Sequence, residues 1–358
     1  MAKFSEVLTI VNGRNQKQVV CDDGKYPIYG SGGIMGYAND YICKAETVVI
    51  GRKGSINKPI FVETPFWNVD TAFGLCANSE KLNPKYLYYF CEKFDFEKLN
   101  TTVTIPSLTK SNLLNVEIPL PNLEKQKQIV ELLDKVTSLI FLRKQQLSKF
   151  DELVKARFVE MFGDPVRNEK GWNTYALAEM CDGIGDGLHG TPEYDENGEY
   201  PFINGNNLID GVIQINASTK KVNKKTYEKH YIKISQNAIL LSINGTLGRI
   251  AFYNCEQVML GKSACYCNLR DEVNRIFVYN IMKTDAFARY LEDNATKSTI
   301  KNVGLKAIRE YRLIMPPIPL QNQFSSFVER VDKQKQTVQQ SLEKLELMKK
   351  ALMQEYFG

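Results

Sequence analysis

The sequence lacks the residue patterns of several common classes of protein. It has only two histidines, and none of its eight cysteines belongs to a C-x-x-C pair, so no metal site is predicted. No apolar run approaches the roughly 18 residues that a membrane span needs, and the first residues, MAKFSEVLTI, lack the features of a secretory signal. We therefore expect a cytoplasmic protein with reduced, buried thiols and no membrane contact.

Patterns for catalysis and nucleotide binding are also missing. NPKY at Asn83 lacks the second proline of an N-P-P-[YFW] adenine methyltransferase motif, and we interpret it as a helix N-cap followed by a first-turn proline. GRKGS at Gly51 lacks the spacing of a phosphate loop. His189 lies in a glycine-rich turn without an evident nucleophile or carboxylate partner. The sequence therefore predicts neither an enzyme nor a cofactor.

The composition is that of a globular protein, with 43% hydrophobic and 24% charged residues. A chain of 358 residues is long enough for two domains of ordinary size. The formal net charge of +5 comes from 46 Lys and Arg against 41 Asp and Glu. This mild excess permits binding to a polyanion but does not require it.

A heptad pattern without glycine or proline runs from Glu124 to Phe162. Apolar residues recur at alternating steps of four and three for nearly five heptads, which predicts a long helix that pairs with another helix. Arg143 and Arg157 occupy the two polar positions of the pattern. The predicted pairing residues of this helix are Ile129, Leu133, Val136, Ile140, Leu147, Phe150 and Val154.

The same pattern returns 195 residues later and continues to the last residues of the sequence. Lys335 and Lys349 are its polar positions. Because each helix is apolar where the other is polar, we predict that the two helices pair with each other. The alternative is that each is an amphipathic helix lying on its own domain. The predicted pairing residues of the second helix are Val328, Val331, Val338, Leu342, Leu345 and Leu352.

The segments before the two helices echo one another as well. YPIYGSGG at Tyr26 parallels YPFINGNN at Tyr200, and VVIGRKGSI at Val48 parallels ILLSINGTLGRI at Ile239. NTTVTIPSL at Asn100 parallels NATKSTIKNVGL at Asn294. Short runs of Val, Ile, Tyr and Phe alternate with Gly, Asn and Asp clusters, which is typical of mainly β domains. Two segments predict short helices inside these domains: PKYLYYFCEKF at Pro84 and NRIFVYNIMKTDAFARYLE at Asn274.

These repeats predict an α+β protein, built by tandem duplication of a mainly β domain followed by a long helix. The predicted boundaries are 1–121 for the first domain, 122–163 for the first helix, 164–317 for the second domain and 318–358 for the second helix. The first helix leads into the second domain, and the second helix begins where that domain ends. The two helices should therefore form an antiparallel coiled coil with one domain at each end.

This organisation resembles the DNA-specificity (S) subunits of type I restriction-modification systems. The resemblance depends on the helix entries PLPNLEKQKQIVELLD at Pro119 and PPIPLQNQFSSFVERVD at Pro316. Their offset of 197 or 198 residues, against 195 for the heptad pattern, predicts helix starts that differ by a residue or two. The matched residues are Pro121, Leu123, Gln126, Ile129 and Val130, and then Pro319, Leu320, Gln323, Phe327 and Val328.

The resemblance implies a subunit with no chemistry of its own. Two target-recognition domains would each read one half of a split, asymmetric site in double-stranded DNA. The paired helices would set the distance between the halves and dock two methyltransferase (M) subunits, and restriction (R) subunits would join that assembly. The alternative function is an adaptor whose tandem domains bind proteins and whose coiled coil dimerises it.

The candidate DNA contacts lie in loops of both predicted domains. Lys and Arg would neutralise phosphates, and amide and hydroxyl side chains would read base edges. Two interpretations stay open, because Asn-Gly-Asn-Asn at Asn204 is also typical of a tight turn and GRKGS also suits an ordinary charged hairpin. We expect Trp67 to be a core residue. The candidates are Ser31, Arg52, Lys53, Ser55 and Lys58 in the first domain, and His189, Thr191, Asn204, Asn206, Asn207, Lys221, Asn244, Thr246 and Arg249 in the second.

Overall fold

The computed structural model describes residues 1–99 and 107–358. The chain forms two compact units that each combine distant parts of the sequence: unit 1 consists of residues 1–147 and 337–358, and unit 2 of residues 148–336. Most of the NTTVTIPSL segment, predicted to parallel NATKSTIKNVGL, lies outside the described residues. None of the helices in the described ranges is long and apolar enough to cross a membrane.

Unit 1 begins with a mainly β globular part. Its helices are α1 (Phe4–Val7), α2 (Pro84–Lys93), α3 (Lys110–Leu114) and a 3₁₀ helix at Phe96–Leu99, followed by the long helix α4 (Leu123–Phe162). Its strands are β1 (Ala2–Lys3), β2 (Leu8–Asn12), β3 (Tyr26–Gly30), β4 (Gly33–Ala38), β5 (Thr47–Gly51), β6 (Ile60–Val62), β7 (Trp67–Asn68), β8 (Ala72–Ala77) and β9 (Glu117–Ile118).

Unit 2 has a globular part of the same kind. Its strands are β10 (Thr174–Ala176), β11 (Cys181–Asp186), β12 (Tyr200–Ile203), β13 (Leu208–Ile209), β14 (Val212–Ile213), β15 (Lys221–Val222), β16 (Ala238–Ser242), β17 (Ile250–Phe252), β18 (Met259–Leu260), β19 (Ala264–Leu269) and β20 (Arg312–Ile314). Its helices are α5 (Lys224–Lys229), α6 (Arg275–Met282), α7 (Asp285–Asp293), α8 (Leu305–Glu310) and 3₁₀ helices at Leu177–Met180 and Gly205–Asn207, followed by the long helix α9 (Ile318–Phe357).

Both units contain the same sheet framework. A four-stranded antiparallel sheet has the order β2-β8-β5-β6 in unit 1 and β11-β19-β16-β17 in unit 2. A three-stranded sheet accompanies it, with the order β4-β3-β7 in unit 1 and β15-β12-β18 in unit 2. In each smaller sheet, the central strand pairs antiparallel with one neighbour and parallel with the other. The predicted tandem duplication of a mainly β domain is confirmed.

The cores follow from continuous apolar strands. β5 and β16 are buried along their whole length, as expected for central strands that are covered on both faces. Trp67 is 6% exposed, and its Nε1 donates to the Arg14 carbonyl at 3.1 Å. It is therefore a core residue, as the sequence predicted.

In unit 1, α2 is held by polar contacts with both long helices. Asn83 caps α2 by accepting hydrogen bonds from the backbone of Lys85 and Tyr86, and Pro84 follows it, so the N-cap interpretation of NPKY is confirmed. Tyr89 Oη donates to Asp134 of α4 at 2.6 Å, and burial together with this bond raises the pKa of the phenol. Glu92 of α2 lies 2.9 Å from Lys349 of α9, one of the predicted polar positions.

The start of α4 lies against the end of α9 within unit 1. Ile129 and Leu133 share a buried cluster with Met353 and Phe357. An ion pair of 2.9 Å joins Lys144 to Glu346 farther along the two helices. Since the residue numbers rise along one helix as they fall along the other, this part of the pair is antiparallel.

The end of α4 lies against the start of α9 within unit 2. Phe158 and Phe162 pack on Phe324, with ring centroids 5.5 Å apart in both pairs. Asp151 forms an ion pair with Lys335 at 2.7 Å. The predicted antiparallel pairing of the two helices is confirmed. Of the predicted pairing residues, Ile129, Leu133, Val136, Val328, Val331, Val338 and Leu342 are buried, and Ile140, Leu147, Phe150, Val154, Leu345 and Leu352 are half-buried.

The predicted difference between the two helix starts is wrong. Both helices have 40 residues, and they begin and end 195 residues apart. A buried glutamine near the start of each helix explains this register. Gln126 Nε2 donates to the Pro121 carbonyl at 2.8 Å, and Gln321 Nε2 donates to the Pro316 carbonyl at 2.7 Å. Gln321, rather than the motif residue Gln323, is thus the counterpart of Gln126.

Two further expectations need correction. The segment from Asn274 forms two helices, α6 and α7, because Thr284 caps the second by accepting a hydrogen bond from the Phe287 backbone. All eight cysteines are free, but Cys255 is exposed, with a positive φ of 64°. Burial raises the pKa of Cys43 to about 12, so that thiol stays protonated.

Candidate nucleic-acid interface

Most candidate residues lie in or beside one loop in each unit, which follows β5 in unit 1 and β16 in unit 2. The loop begins after Gly51 in unit 1 and after Ser242 in unit 2. Each has a glycine three residues later with nearly the same conformation, φ 77° at Gly54 and φ 76° at Gly245. The positions on either side of this glycine correspond one to one: Lys53 with Asn244 before it, and Ser55 with Thr246 and Lys58 with Arg249 after it. The weak sequence echo therefore reflects the same loop geometry with different side chains.

A close approach of two small residues brings a second turn beside each loop. In unit 1, a β-carbon added to Gly51 would lie 3.1 Å from Cβ of Ser31. In unit 2, a β-carbon added to Gly205 would lie 2.7 Å from Cβ of Ser242. The space between the turn and the loop holds one side chain. In unit 1 it belongs to Ser31 of the turn, and in unit 2 it belongs to Ser242 at the end of β16. The turns after β3 and β12 are thus held against the central loops.

In unit 1, Arg52 and Lys53 are exposed beside this contact. The Arg52 backbone N donates to the Thr71 carbonyl at 2.8 Å, and its guanidinium lies 5.8 Å from the centre of the Phe73 ring. Lys53 forms an antiparallel bridge with Ser107. These two cations, together with Ser31 and Ser55, occupy one region of the surface. Lys58 lies at the other end of the loop.

The surroundings of Lys58 differ from those of the other unit 1 candidates. Its neighbour Asn57 donates from Nδ2 to Asp95 at 2.9 Å and accepts a hydrogen bond from the Phe96 backbone at 2.7 Å. The bond from Asn57 is the main cause of the lowered pKa of Asp95. Lys58 therefore follows a residue that faces a carboxylate, whereas Arg52 and Lys53 follow the strand end.

Of the three asparagines in the Asn204–Asn207 turn, Asn204 and Asn207 use their side chains for hydrogen bonds that hold the turn. Asn204 Oδ1 accepts from Ser263 Oγ at 2.8 Å, and Asn207 Oδ1 accepts from the Asn204 backbone at 3.0 Å. Asn206 is exposed, and its carbonyl accepts from Arg249 Nη1 at 3.3 Å. The turn interpretation thus describes Asn204 and Asn207, and the exposed amide that stands beside Arg249 belongs to Asn206.

His189 and Thr191 lie in another loop of unit 2, after β11. His189 Nε2 is 2.8 Å from Asp186 Oδ2, so the histidine has a carboxylate partner that the sequence analysis did not identify. Gly187 packs directly on the Leu260 backbone, where a β-carbon would overlap the chain. Lys221 lies apart from this loop, on β15, where it pairs with Pro201.

Arg14 is an exposed cation that the sequence analysis missed. It follows Gly13, which packs on the Val69 carbonyl in the way that Gly187 packs on Leu260. The Arg14 backbone N donates to the Asn68 carbonyl at 2.8 Å. The sequence pattern that could have identified this position is a strand-like run that ends in glycine, which is LTIVNG in unit 1 and GIGDG in unit 2.

The chemistry of these loops is that of a binding surface. Exposed cations and hydroxyls lie beside one another in unit 1, and an amide, hydroxyls and an arginine do so in unit 2. Cations of this kind neutralise phosphates, and amides and hydroxyls form hydrogen bonds with base edges. No group of three or more His, Cys, Asp or Glu side chains is placed to hold a metal ion in residues 1–99 and 107–358.

Comparisons with known proteins agree on one family. The family model described as the type I restriction modification DNA specificity domain matches residues 1–150 and 169–347. The chain is similar to a putative type I restriction enzyme specificity subunit of Haemophilus influenzae, with 24% identity over 368 residues, 92% of this chain and 86% of that protein. It is also similar to a type I restriction enzyme specificity subunit of Methanocaldococcus jannaschii, with 23% identity, 78% of this chain and 68% of that protein.

Solved structures share the fold. The S subunit of a type I restriction-modification system from M. genitalium superposes with a TM-score of 0.65 at 17% identity, over all of this chain and 95% of that one. A chain from a structural study of complex assembly and conformational transition in a type I system gives a TM-score of 0.59 at 16% identity, over 99% of this chain and 96% of that one.

Proposed function

The chain belongs to the family of type I restriction-modification DNA specificity domains, and from this premise we propose the role that it has in such a system. It is a DNA-specificity subunit without catalytic activity that reads a bipartite, asymmetric site in double-stranded DNA. It positions two adenine methyltransferase subunits, and through them restriction subunits. It acts in the cytoplasm.

The observation that carries this proposal is the repeated loop with changed side chains. Each unit holds the loop by the same strand framework, yet Lys53 and Ser55 in one unit correspond to Asn244 and Thr246 in the other. Equal frameworks suit two half-sites of similar geometry. Different side chains suit two different base sequences, because an amide such as Asn244 can read a base edge where the cation Lys53 suits a phosphate. The predicted site is therefore split and asymmetric.

The candidate residues divide by their chemistry into two roles. Cationic side chains contact phosphates, which contribute affinity without sequence information. Amide, hydroxyl and imidazole side chains contact base edges, and the exposed Asn206 is suited to a bidentate contact with adenine. The residues proposed to contact phosphates are Arg52, Lys53, Lys58, Lys221 and Arg249. The residues proposed to contact bases are Ser31, Ser55, His189, Thr191, Asn206, Asn244 and Thr246. Asn204 and Asn207 hold the turn.

The long helices act as the spacer and as the docking surface for the methyltransferase subunits. A helix of 40 residues is about 60 Å long, against about 34 Å for one turn of B-DNA. Both helices carry exposed apolar side chains beyond those used in pairing, which suit a protein partner. In unit 1 these are Leu132, Leu139, Phe141, Leu142, Leu347 and Met348. The proposal accordingly divides the chain into a first recognition domain (1–121), a first spacer helix (122–163), a second recognition domain (164–317) and a second spacer helix (318–358).

Adenine-methylation sequencing tests the proposal. Cells lacking the gene are compared with cells that regain it together with a methyltransferase subunit. We expect one split, asymmetric motif to gain methylation. The Asn206→Ala variant should change or relax one half of the motif only, and Lys306→Ala, at an exposed lysine of α8 outside the loops, should leave both halves unchanged. A complex that forms without methylating any split motif would contradict the proposal and favour a protein-binding adaptor.

A further inference from the structure

Two aliphatic side chains are exposed at the end of the β3–β4 hairpin. Ile34 is 55% exposed and Met35 is 62% exposed. They follow a turn of Gly30, Ser31, Gly32 and Gly33, and Gly33 has a φ of 123° that a side chain would disfavour. Because the two residues are adjacent, they form one small apolar surface at the end of the hairpin.

The end of this hairpin is a two-stranded ribbon. β7 pairs with β3 only at Ile28 and Tyr29, so it does not extend to the turn. A β-bulge between Ile28 and Tyr29 leaves Met35 as the extra residue. The Met35 side chain bends over Gly30, because its Sδ lies 2.5 Å from the position of a β-carbon on that glycine. Although Met35 contacts Gly30 in this way, it and Ile34 are both more than half exposed to solvent.

The charge beside this turn favours a polyanion. Ser31 of the turn packs against Gly51, and the next two residues, Arg52 and Lys53, are exposed cations. One exposed carboxylate, Asp70, precedes Thr71, whose carbonyl accepts from the Arg52 backbone. Cations at the base of a ribbon with an apolar end match the major groove, where phosphates border the bases.

The major groove of B-DNA admits a two-stranded β-ribbon, and the apolar group that bases present there is the 5-methyl of thymine. Ser31 is the single residue with a polar side chain in the four-residue turn, so the end of the hairpin offers mainly apolar contacts. We propose that Ile34 and Met35 contact the 5-methyl group of a thymine in one half-site and so make that position thymine-specific. This inference rests on the proposed function, since it assigns a base to the surface proposed to read DNA.

Unit 2 provides the matched comparison. Its β13–β14 hairpin turns at Asp210 and Gly211, with φ of 45° and 87°, and carries exposed Ile209 and Val212. Gly211 forms a bridge with Ala251, which places this hairpin beside the loop that contains Arg249. This hairpin is not the counterpart of β3–β4, since β15 takes the place of β4 in unit 2, but variants of Val212 change an exposed apolar side chain beside the unit 2 loop while leaving unit 1 intact.

The test uses the complex of the full chain with its methyltransferase subunits and duplex DNA carrying the motif found by methylation sequencing. Each thymine of the motif is replaced in turn by deoxyuridine, which removes only the 5-methyl group. For the wild type, we expect one replacement in one half-site to weaken binding about fourfold, the amount for one buried methyl group. The Ile34→Ala, Met35→Ala double variant should bind both duplexes equally. The Val212→Ala control should keep the fourfold difference at that thymine.

Two results would overturn the inference: a wild-type complex insensitive to every deoxyuridine replacement, or a double variant that keeps the full difference. Absence of any motif-specific binding by the wild type would instead refute the proposed function, and this inference with it. Both substitutions are at exposed sites, and an unchanged melting temperature will show that the variant is folded.

Discussion

Replacing Gln126 by leucine tests how each globular part is attached to its long helix. Gln126 is fully buried near the start of α4. Its Oε1 accepts from the Asn83 backbone N at 2.8 Å, and its Nε2 donates to the carbonyls of Lys81 at 3.0 Å and Pro121 at 2.8 Å. Leucine has a similar size but makes none of these bonds. The change therefore leaves the Asn83 N–H and the carbonyls of Lys81 and Pro121 without this partner.

The expected loss of stability follows from these bonds. A buried donor without a partner costs about 1–3 kcal/mol, and each weakened carbonyl adds about 0.5–1 kcal/mol, so Gln126→Leu should destabilise unit 1 by about 3 kcal/mol. Hydrogen-exchange mass spectrometry at the start of α2 reports the change locally, and 3 kcal/mol corresponds to about 100-fold faster exchange. Gln128→Leu, at an exposed position of the same helix turn, is the matched control and should change exchange little.

The corresponding substitutions in unit 2 test which glutamine of α9 is the counterpart of Gln126. Gln321 Oε1 accepts from the Asn274 backbone at 3.1 Å, so Gln321→Leu should speed exchange at the start of α6. Gln323, which the helix-entry motif equated with Gln126, is exposed and should tolerate leucine. Equal exchange in the Gln126 and Gln128 variants, or a larger effect at Gln323 than at Gln321, would refute the reasoning.

Three further predictions concern the aromatic cluster, the spacer and the phosphate contacts. Phe162→Ala should destabilise unit 2 by about 3–5 kcal/mol in urea denaturation, since the ring is fully buried, whereas the exposed Phe141→Ala should not. Deleting residues 141–147 and 339–345, one heptad from each helix, removes about 10 Å and should shorten the spacer of the methylated motif; an unchanged spacer would reject the ruler. Lys53→Ala should lower the salt dependence of DNA binding by about one phosphate contact and weaken all sequences alike; a sequence-selective loss would instead assign Lys53 to base contact.

Several features were accessible from the sequence because they depend on local or periodic patterns. The heptad pattern without glycine or proline predicted both long helices and their pairing, since apolar spacing determines which face of a helix is buried. Asn83 followed by Pro84 predicted the start of α2, because an N-cap depends on neighbouring residues alone. The alternation of short apolar runs with glycine and asparagine predicted mainly β domains.

Other features were decided by contacts between residues far apart in the chain. The sequence offered two offsets for the helix starts, 195 residues from the heptad pattern and 197 or 198 from the entry motif, and the hydrogen bonds from the backbones of Asn83 and Asn274 decided for the pairing of Gln126 with Gln321. The proximity of Ser31 to Gly51 depends on how two sheets pack. Loop sequences vary in type and length without changing their strands, so their side chains can be grouped only after the strands are paired. The sequence by itself determined the helices, the tandem repeat and the family; the tertiary structure decided which loop residues lie together, because strand pairing and close backbone approach determine that.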